Sequence, residues 1–402
     1  MHSLKDMCYV ELETETNSDH IGITFNKENL KVIFPRGYHI SSDDKNLKED
    51  ILILIKVFDK YVKSKKAKSC SEDEKDLTTG KGNNFSMTNA IWLLNDYEVN
   101  GLYKEYIHRY KVDKKGNINW SKTIKSTTPY ISGNDLIYLD FVVKEKNNDI
   151  NNIILLTQKY IIEKCIDIIG WLYPSIRIEG PNKLPYTHSV CINLLKKELR
   201  LVNIDKTKRL LIHMIDFLEN DGHEKDINSF KEYKTKYFMN IWEDMLNDVL
   251  GNDDPSKYYP KAIWEIDGKE TDASKLRPDI ILNTNKKTYV IDAKYYKYGI
   301  TKSIDHLPQS SDINKQMLYS EYIKKNKGIE SYDAFILPYK SNTKNSFKFV
   351  GNARLENGVY DKKKIVCILA DTKDIMQRYI DGNKLEECKK DVIKIIDEQN
   401  KI

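Results

Sequence analysis

Two strand-length apolar runs lie close together at 279–283 (DIILN) and 288–292 (TYVID), and no other feature constrains the fold of this chain as tightly. So short a gap predicts an antiparallel hairpin. A two-residue turn at Asn285-Lys286 and a four-residue loop over 284–287 give the same register, with Asp279 opposite Asp292. Opposed ladder residues point to one face, with Cβ atoms about 4.5–5.5 Å apart. Strand alternation adds Lys294 and Val290 to the face of Asp292 and leaves Tyr289, Ile291 and Ala293 on the other. Two like charges so placed repel unless something positive sits between them.

Two converging carboxylates with a lysine beside them make an oxygen-ligand site suited to Mg²⁺, with Mn²⁺ as a substitute. Such an ion acidifies a bound water and stabilises charge on phosphoryl oxygens, and an ammonium positions or helps to deprotonate the attacking water. The reaction class implied is phosphodiester hydrolysis.

The rest of the chain reads as a mixed α+β protein. Residues 21–35 give two short strands, and LKEDILILIKVF follows as a helix with Ser42 or Asp43 as N-cap and an apolar face of Leu47, Ile51, Leu54, Ile55 and Phe58. Residues 63–84 carry almost no apolar side chains and predict a surface loop or linker. A helix over SMTNAIWLLNDY, capped by Ser86 or Thr88, and two strands around DKKGNINWSKTI come next. From about 150 to 250 the period is helical. The last of these helices carries Phe238, Ile241, Trp242, Met245, Leu246 and Val249 on one stripe and ends at Gly251. Strand-like runs then recur at 279–283, 288–294, 332–338, 346–350 and 365–370 around one helix at about 312–326. The expected division is a recognition or docking region over 1–205 and a catalytic region over 206–402.

Composition excludes several classes. With 40% hydrophobic and 31% charged residues the chain is globular rather than disordered, and a net charge of +5 permits a polyanionic partner without arguing for one. The six cysteines and eight histidines show no zinc-like spacing, which fits a reducing interior. No secretory signal is visible at the N-terminus, and the apolar stretch 152–173 is broken by Lys159, Glu163, Lys164 and Asp167, so a membrane span is not expected. A cytoplasmic location follows. No phosphate loop of the form GxxxxGK[ST] and no methyltransferase signature is present, so any nucleotide-driven step and any self-protecting methylation belong to other subunits.

RPDIILNTNKKTYVIDAK resembles the PD-(D/E)xK nuclease core, with Pro278-Asp279 as the PD element and Asp292-Ala293-Lys294 as DxK. On the preceding helix Glu243, in IWEDML, matches the acidic residue that many members supply to the metal. Gln316 and Tyr319, in NKQMLYSEY, match the Gln and Tyr of the following helix in McrC-like and RecB-like nucleases. FPRGYHI with its following helix, AIWLLNDYEVNGLY and INWSKTI are similar to the LlaJI-type restriction endonuclease family, whose core is McrC-like. The resemblance implies a restriction-endonuclease-like core in the C-terminal half, with a central mixed sheet flanked by helices. It implies a Mg²⁺-dependent endodeoxyribonuclease subunit acting on double-stranded DNA. Asp279, Asp292 and Glu243 would bind the metal, Lys294 would assist the water and Gln316 would support the site. The partners implied are an McrB-like AAA+ GTPase and a separate methyltransferase; a homodimer is left open.

Plainer readings stand beside each of these. The hairpin charges could form a structural salt bridge in a non-catalytic recognition or adaptor subunit, or the same core could serve DNA repair. Asp244 competes with Glu243. His306 falls in a loop and the chemistry does not need it. Lys297 and Lys302 with Tyr295, Tyr296 and Tyr298 fit either a phosphate-contacting surface or a packed strand exit.

Overall fold

The computed structural model describes residues 4, 8–15, 19–25, 30–67, 78–79, 87–148, 152–178, 183–220, 232–259, 262–272, 277–285, 287–343, 345–356, 363–383 and 385–400. The chain is a mixed α+β protein that forms two compact units. One joins Met1–Gly82 to Asn228–Ile402 and the other is Asn83–Ile227. The expected division at 205/206 falls inside the second unit. The chain leaves the first unit and returns to it, because a strand after residue 230 belongs to the N-terminal sheet.

That sheet contains β1 (Cys8–Leu12), β2 (Ile21–Phe25), β3 (Leu30–Phe34), β4 (Thr78–Thr79) and β5 (Glu232–Thr235). Their order across the sheet is β1-β3-β2-β5-β4. β2 and β3 form the expected hairpin, with Ile23 opposite Val32, and β1 adds to β3 in parallel. β5 pairs antiparallel with both β2 and β4, which closes the discontinuous unit. Helix α1 (Asp44–Ala67) buries Leu47, Ile51, Leu54, Ile55 and Phe58 completely, as its period requires. Asp43 is its cap: the carbonyl accepts from Leu47 N–H at 2.9 Å and Oδ1 accepts from Asn46 N–H at 3.0 Å. The helix continues to Ala67, into the segment expected to be loop; Ser86, residues 68–77 and residues 80–84 lie outside the described residues.

The second sheet of this unit is built from the expected strands: β6 (Ile280–Asn283), β7 (Thr288–Ala293), β8 (Ser331–Tyr339), β9 (Phe347–Ala353) and β10 (Ile365–Asp371), in the order β6-β7-β8-β10-β9. β6 is antiparallel to β7, β7 and β8 are parallel, β8 and β10 are parallel, and β9 is antiparallel to β10. All six residues of β7 are buried. A strand covered on both faces needs apolar residues at every position, and TYVIDA provides them everywhere except at Thr288 and Asp292.

Helix α2 (Phe238–Leu250) packs on β6 and β7 through the expected stripe, in which Ile241, Trp242, Met245, Leu246 and Val249 are fully buried. It stops at Gly251 in an extended conformation (φ −68°, ψ 148°) and not in the left-handed one usual for a stop glycine. A Cβ there would stand 2.5 Å from Asn247 Oδ1, so close approach explains the glycine. Helix α3 (Ser310–Lys327) makes the crossover from β7 to β8, and α4 (Thr372–Asp381) and α5 (Leu385–Asn400) pack against α2. Asp244 faces α1 and α4, where Tyr379 Oη donates to it at 2.8 Å and Ser64 Oγ at 3.3 Å.

The second unit holds helices Met87–Asn100, Trp120–Ser126, Ile153–Ile169, His188–Leu201 and Asp205–Asn220. Tyr106–Asp113 and Asn117–Ile118 are strands, but each pairs with Phe141–Asn148 rather than with the other. Within INWSKTI the chain turns helical, because Asn119 Oδ1 accepts from Lys122 N–H at 3.0 Å and caps Trp120–Ser126. Among the described residues no helix is long and apolar enough to cross a membrane.

Candidate active site

The register places the two aspartates as their spacing predicts. Ile280 lies opposite Ile291, Ile281 opposite Val290, Leu282 opposite Tyr289 and Asn283 opposite Thr288. Asp279 is the next residue out, in a bend, where it meets the end of β7. Its Oδ2 accepts from Ala293 N–H at 2.8 Å. Thr284 N–H reaches Lys287 O at 2.9 Å and closes the turn; Lys286 lies outside the described residues.

Asp292 is fully buried and Lys294 Nζ stands 2.5 Å from its Oδ2. The lysine backbone is fixed by Lys294 N–H to Ile336 O at 2.9 Å, so both side chains leave the carboxyl end of β7 on one face. Burial first, then the charges of Asp292 and Glu243 and a hydrogen bond to Asp292, push the Asp279 carboxyl well above the usual carboxylate range. Asp279 therefore lies in the field of two further acids, Asp292 and Glu243. Burial would lower Lys294, but Asp292 and then Asp312 outweigh it and hold the ammonium above its ordinary value.

Glu243 belongs to the same electrostatic neighbourhood. Burial and then the Asp292 charge raise its pKa, while Lys294, Lys315 and Arg277 oppose the rise. Gln316 is fully buried on α3, and its Nε2 donates to Val290 O at 2.7 Å. It therefore anchors β7 two residues before Asp292. Tyr319 is buried one turn on, its hydroxyl raised by burial and then by Asp292 and Asp279.

Two residues of this neighbourhood escaped the sequence reading. Asp312, in the first turn of α3, takes Lys294 Nζ at 3.0 Å from its Oδ1. Lys315 Nζ stands 3.8 Å from Asp292 Oδ1. The only available signal was their place on the helix that carries Gln316.

The tyrosines after Lys294 pack inward. Tyr295 is buried against Phe238 and Trp242, with ring centroids 5.3 and 6.4 Å away, and Tyr296 and Tyr298 pack on the apolar layer around Phe335 and Leu337. The packed strand exit is therefore the reading the structure bears out. Lys297 and Lys302 are exposed, and His306 Nδ1 pairs with Thr301 Oγ1 at 2.7 Å in a short loop.

The donor set fits a hard cation held by two carboxylates. Gln316 Oε1 and the Tyr319 hydroxyl are buried without a hydrogen bond among the described residues, while the buried Asp292 oxygens face the ammonium groups of Lys294 and Lys315. Mg²⁺ takes one or two protein carboxylates and fills its other positions with water or phosphate oxygens. Among the described residues no three His, Cys, Asp or Glu side chains are gathered as ready metal ligands.

Fold and site together define a mixed α+β chain with an Asp–Asp–Lys centre around the buried Asp292, at the end of an interior strand. The chain belongs to the LlaJI restriction endonuclease family, whose model matches residues 20–371. It is thus a restriction-system subunit. A component of the type II restriction enzyme BsuMI, YdjA of Bacillus subtilis (strain 168), is 25% identical over 417 aligned residues, covering 99% of this chain and 87% of that protein. Among solved structures, an assembly of Thermococcus gammatolerans McrB AAA+ hexamers with bound McrC aligns with 90% of this chain and 82% of that chain. Its identity is 12% and its TM-score 0.33, too distant to define a fold.

Proposed function

We propose that this chain is the Mg²⁺-dependent endodeoxyribonuclease subunit of its restriction system, built on a PD-(D/E)xK core and hydrolysing double-stranded DNA in the cytoplasm. The observation that carries the reading is the register that sets Asp279, bonded to Ala293 N–H, across from Asp292, with Lys294 against Asp292. Asp279 and Asp292 would hold the ion, with Mn²⁺ as a substitute. Bound there, the metal lowers the pKa of a water and neutralises charge growing on the phosphoryl oxygens. Lys294 would orient the attacking water, Glu243 would supply a third carboxylate to the ion, and Gln316 keeps β7 in register with α3. The remaining components are a separate methyltransferase and an McrB-like AAA+ GTPase; a second copy of the chain is a further partner to test.

The test is strand breakage of supercoiled DNA, methylated and unmethylated, with Mg²⁺ or Mn²⁺. It is run alone and with a neighbouring AAA+ subunit plus GTP. Asp292→Asn and Lys294→Ala are expected to lose cleavage and retain DNA binding. Cleavage at the wild-type rate by either variant would refute the assignment.

One observation favours a second reading, a non-catalytic recognition or adaptor subunit. Asp292 is fully buried and already faces two lysines. A protein that binds DNA but never cuts it under any of these conditions selects that reading.

A further inference from the structure

We propose that Asp312 is a positioning residue that keeps Lys294 in the site when Asp292 turns its oxygens to a divalent cation. The inference rests on the metal reading above and adds a residue that reading does not contain.

Lys294 Nζ lies between two carboxylates, 2.5 Å from Asp292 Oδ2 and 3.0 Å from Asp312 Oδ1. The lysine and Asp312 side chains are only 12% and 14% exposed, so solvent is a poor substitute for either partner. Asp312 is oriented from its other side. Its Oδ2 accepts from Gln309 N–H at 3.1 Å, completing a capping box at the start of α3, and from Tyr296 Oη at 3.0 Å. Two donors thus occupy one oxygen and leave the other aimed at the ammonium.

A cation and an ammonium compete for the same Asp292 oxygens. Without a second partner, Lys294 would either stay on Asp292 and oppose metal entry or be left buried and unpaired. An ammonium has three donors, and Asp312 takes one of them in a place the metal does not use. Lys294 then remains beside the reacting centre. Burial would raise the Asp312 carboxyl, but Lys294 and Tyr296 hold it below the usual range, so it is ionised at neutral pH.

The test is calorimetric titration of the metal-free full-length protein with Mn²⁺, without DNA, in wild type, Asp312→Asn, Lys294→Met and the double variant. Asparagine retains an oxygen for Gln309 N–H and Tyr296 Oη, so the cap survives and thermal unfolding is expected to change little. Asp312→Asn should weaken Mn²⁺ binding about tenfold while Lys294 is present. Lys294→Met should tighten it, and adding Asp312→Asn to Lys294→Met should change it by less than about twofold, because no lysine remains to be held. Equal weakening in both backgrounds, or none in either, overturns the inference. Absence of Mn²⁺ binding by the wild type removes the metal reading itself, which separates the two failures.

Discussion

Arg36 grips Tyr295, the residue immediately after Lys294. Its backbone N–H donates to Tyr295 Oη at 2.8 Å, and its Nη1 donates to the Tyr295 carbonyl at 2.6 Å. The guanidinium also lies 4.6 Å from the centre of the Tyr295 ring, and Nη2 reaches Glu13 Oε1 at 2.6 Å. Tyr295 Oη in turn donates to Glu13 Oε2 at 2.7 Å. The arginine of FPRGYHI, which carries no chemistry of its own, therefore fixes the strand exit from which Lys294 projects.

Arg36→Ala removes two charge-assisted hydrogen bonds, one to the Tyr295 carbonyl and one to Glu13. The expected loss is about 2–3 kcal/mol, measured as a lower urea midpoint of the full-length protein. Arg36→Lys should recover little of it, since an ammonium cannot meet the Tyr295 carbonyl and Glu13 in the same forked geometry. A change within about 0.5 kcal/mol would show that the clamp contributes nothing to stability.

The adjoining glycine is under tighter constraint. Gly37 has φ +70°, and a Cβ there would stand 2.6 Å from the carbonyl carbon of Tyr339 on β8. Left-handed backbone alone costs an L-residue about 1–2 kcal/mol, and the neighbour is backbone that cannot swing away. Gly37→Ala is expected to lower the thermal midpoint by several degrees or to abolish soluble expression, read by differential scanning fluorimetry. A wild-type midpoint would mean that β8 moves freely at this point.

Lys315 puts a second cation on the Asp292 carboxylate, at 3.8 Å, with its side chain 28% exposed. Under the nuclease reading it is placed to meet the negative charge of the substrate phosphate. Lys315→Met should lower the cleavage rate about 10- to 100-fold, with DNA affinity in chelator nearly unchanged. An unaltered rate assigns Lys315 to the protein surface alone.

The buried thiols give a prediction in pH. Burial pushes Cys8 up to about 11, with Asp44 adding to it, and pushes Cys367 up to about 12, from an ordinary value of 9.0. In Cys388 burial again leads, and the thiol rises to about 11. A folded-state pKa above the unfolded one means that the native protein binds more protons once the pH exceeds 9. Stability is then fully present below that value and falls as the pH climbs towards 11–12, by at most about 1.4 kcal/mol per pH unit for each thiol. Urea midpoints between pH 8 and 10.5 should show the decline, and Cys367→Ala should flatten it. The same three thiols are expected to resist a disulfide reagent at pH 8 until the protein is unfolded.

The parts of this site that were legible in the sequence depend on local periods. The Asp279–Asp292 register follows from a short turn and strand alternation, and either turn length gives the same answer. The α2 stripe separates Glu243, directed to the Asp292 side, from Asp244, directed to Tyr379, but only once α4 is seen to lie on the opposite flank. Asp312 was not legible, because its meeting with Lys294 depends on where a crossover helix begins relative to a strand end. Arg36 and Tyr295 lie 259 residues apart, and nothing periodic connects them. The composition of the three tyrosines after Lys294 suits a surface and a core equally well, and packing decided between the two.

The discontinuity of the first unit has a consequence for how such chains diversify. β4 and β5 are hydrogen-bonded neighbours, with Tyr233 opposite Thr79 and Lys234 opposite Thr78, so the chain departs and comes home at adjacent points of one sheet. Whatever lies between those points can lengthen, shrink or be exchanged for another cassette without rewiring a strand of the framework that carries Asp279, Asp292 and Lys294. A lineage could therefore exchange the whole unit Asn83–Ile227 and leave its acid pair untouched.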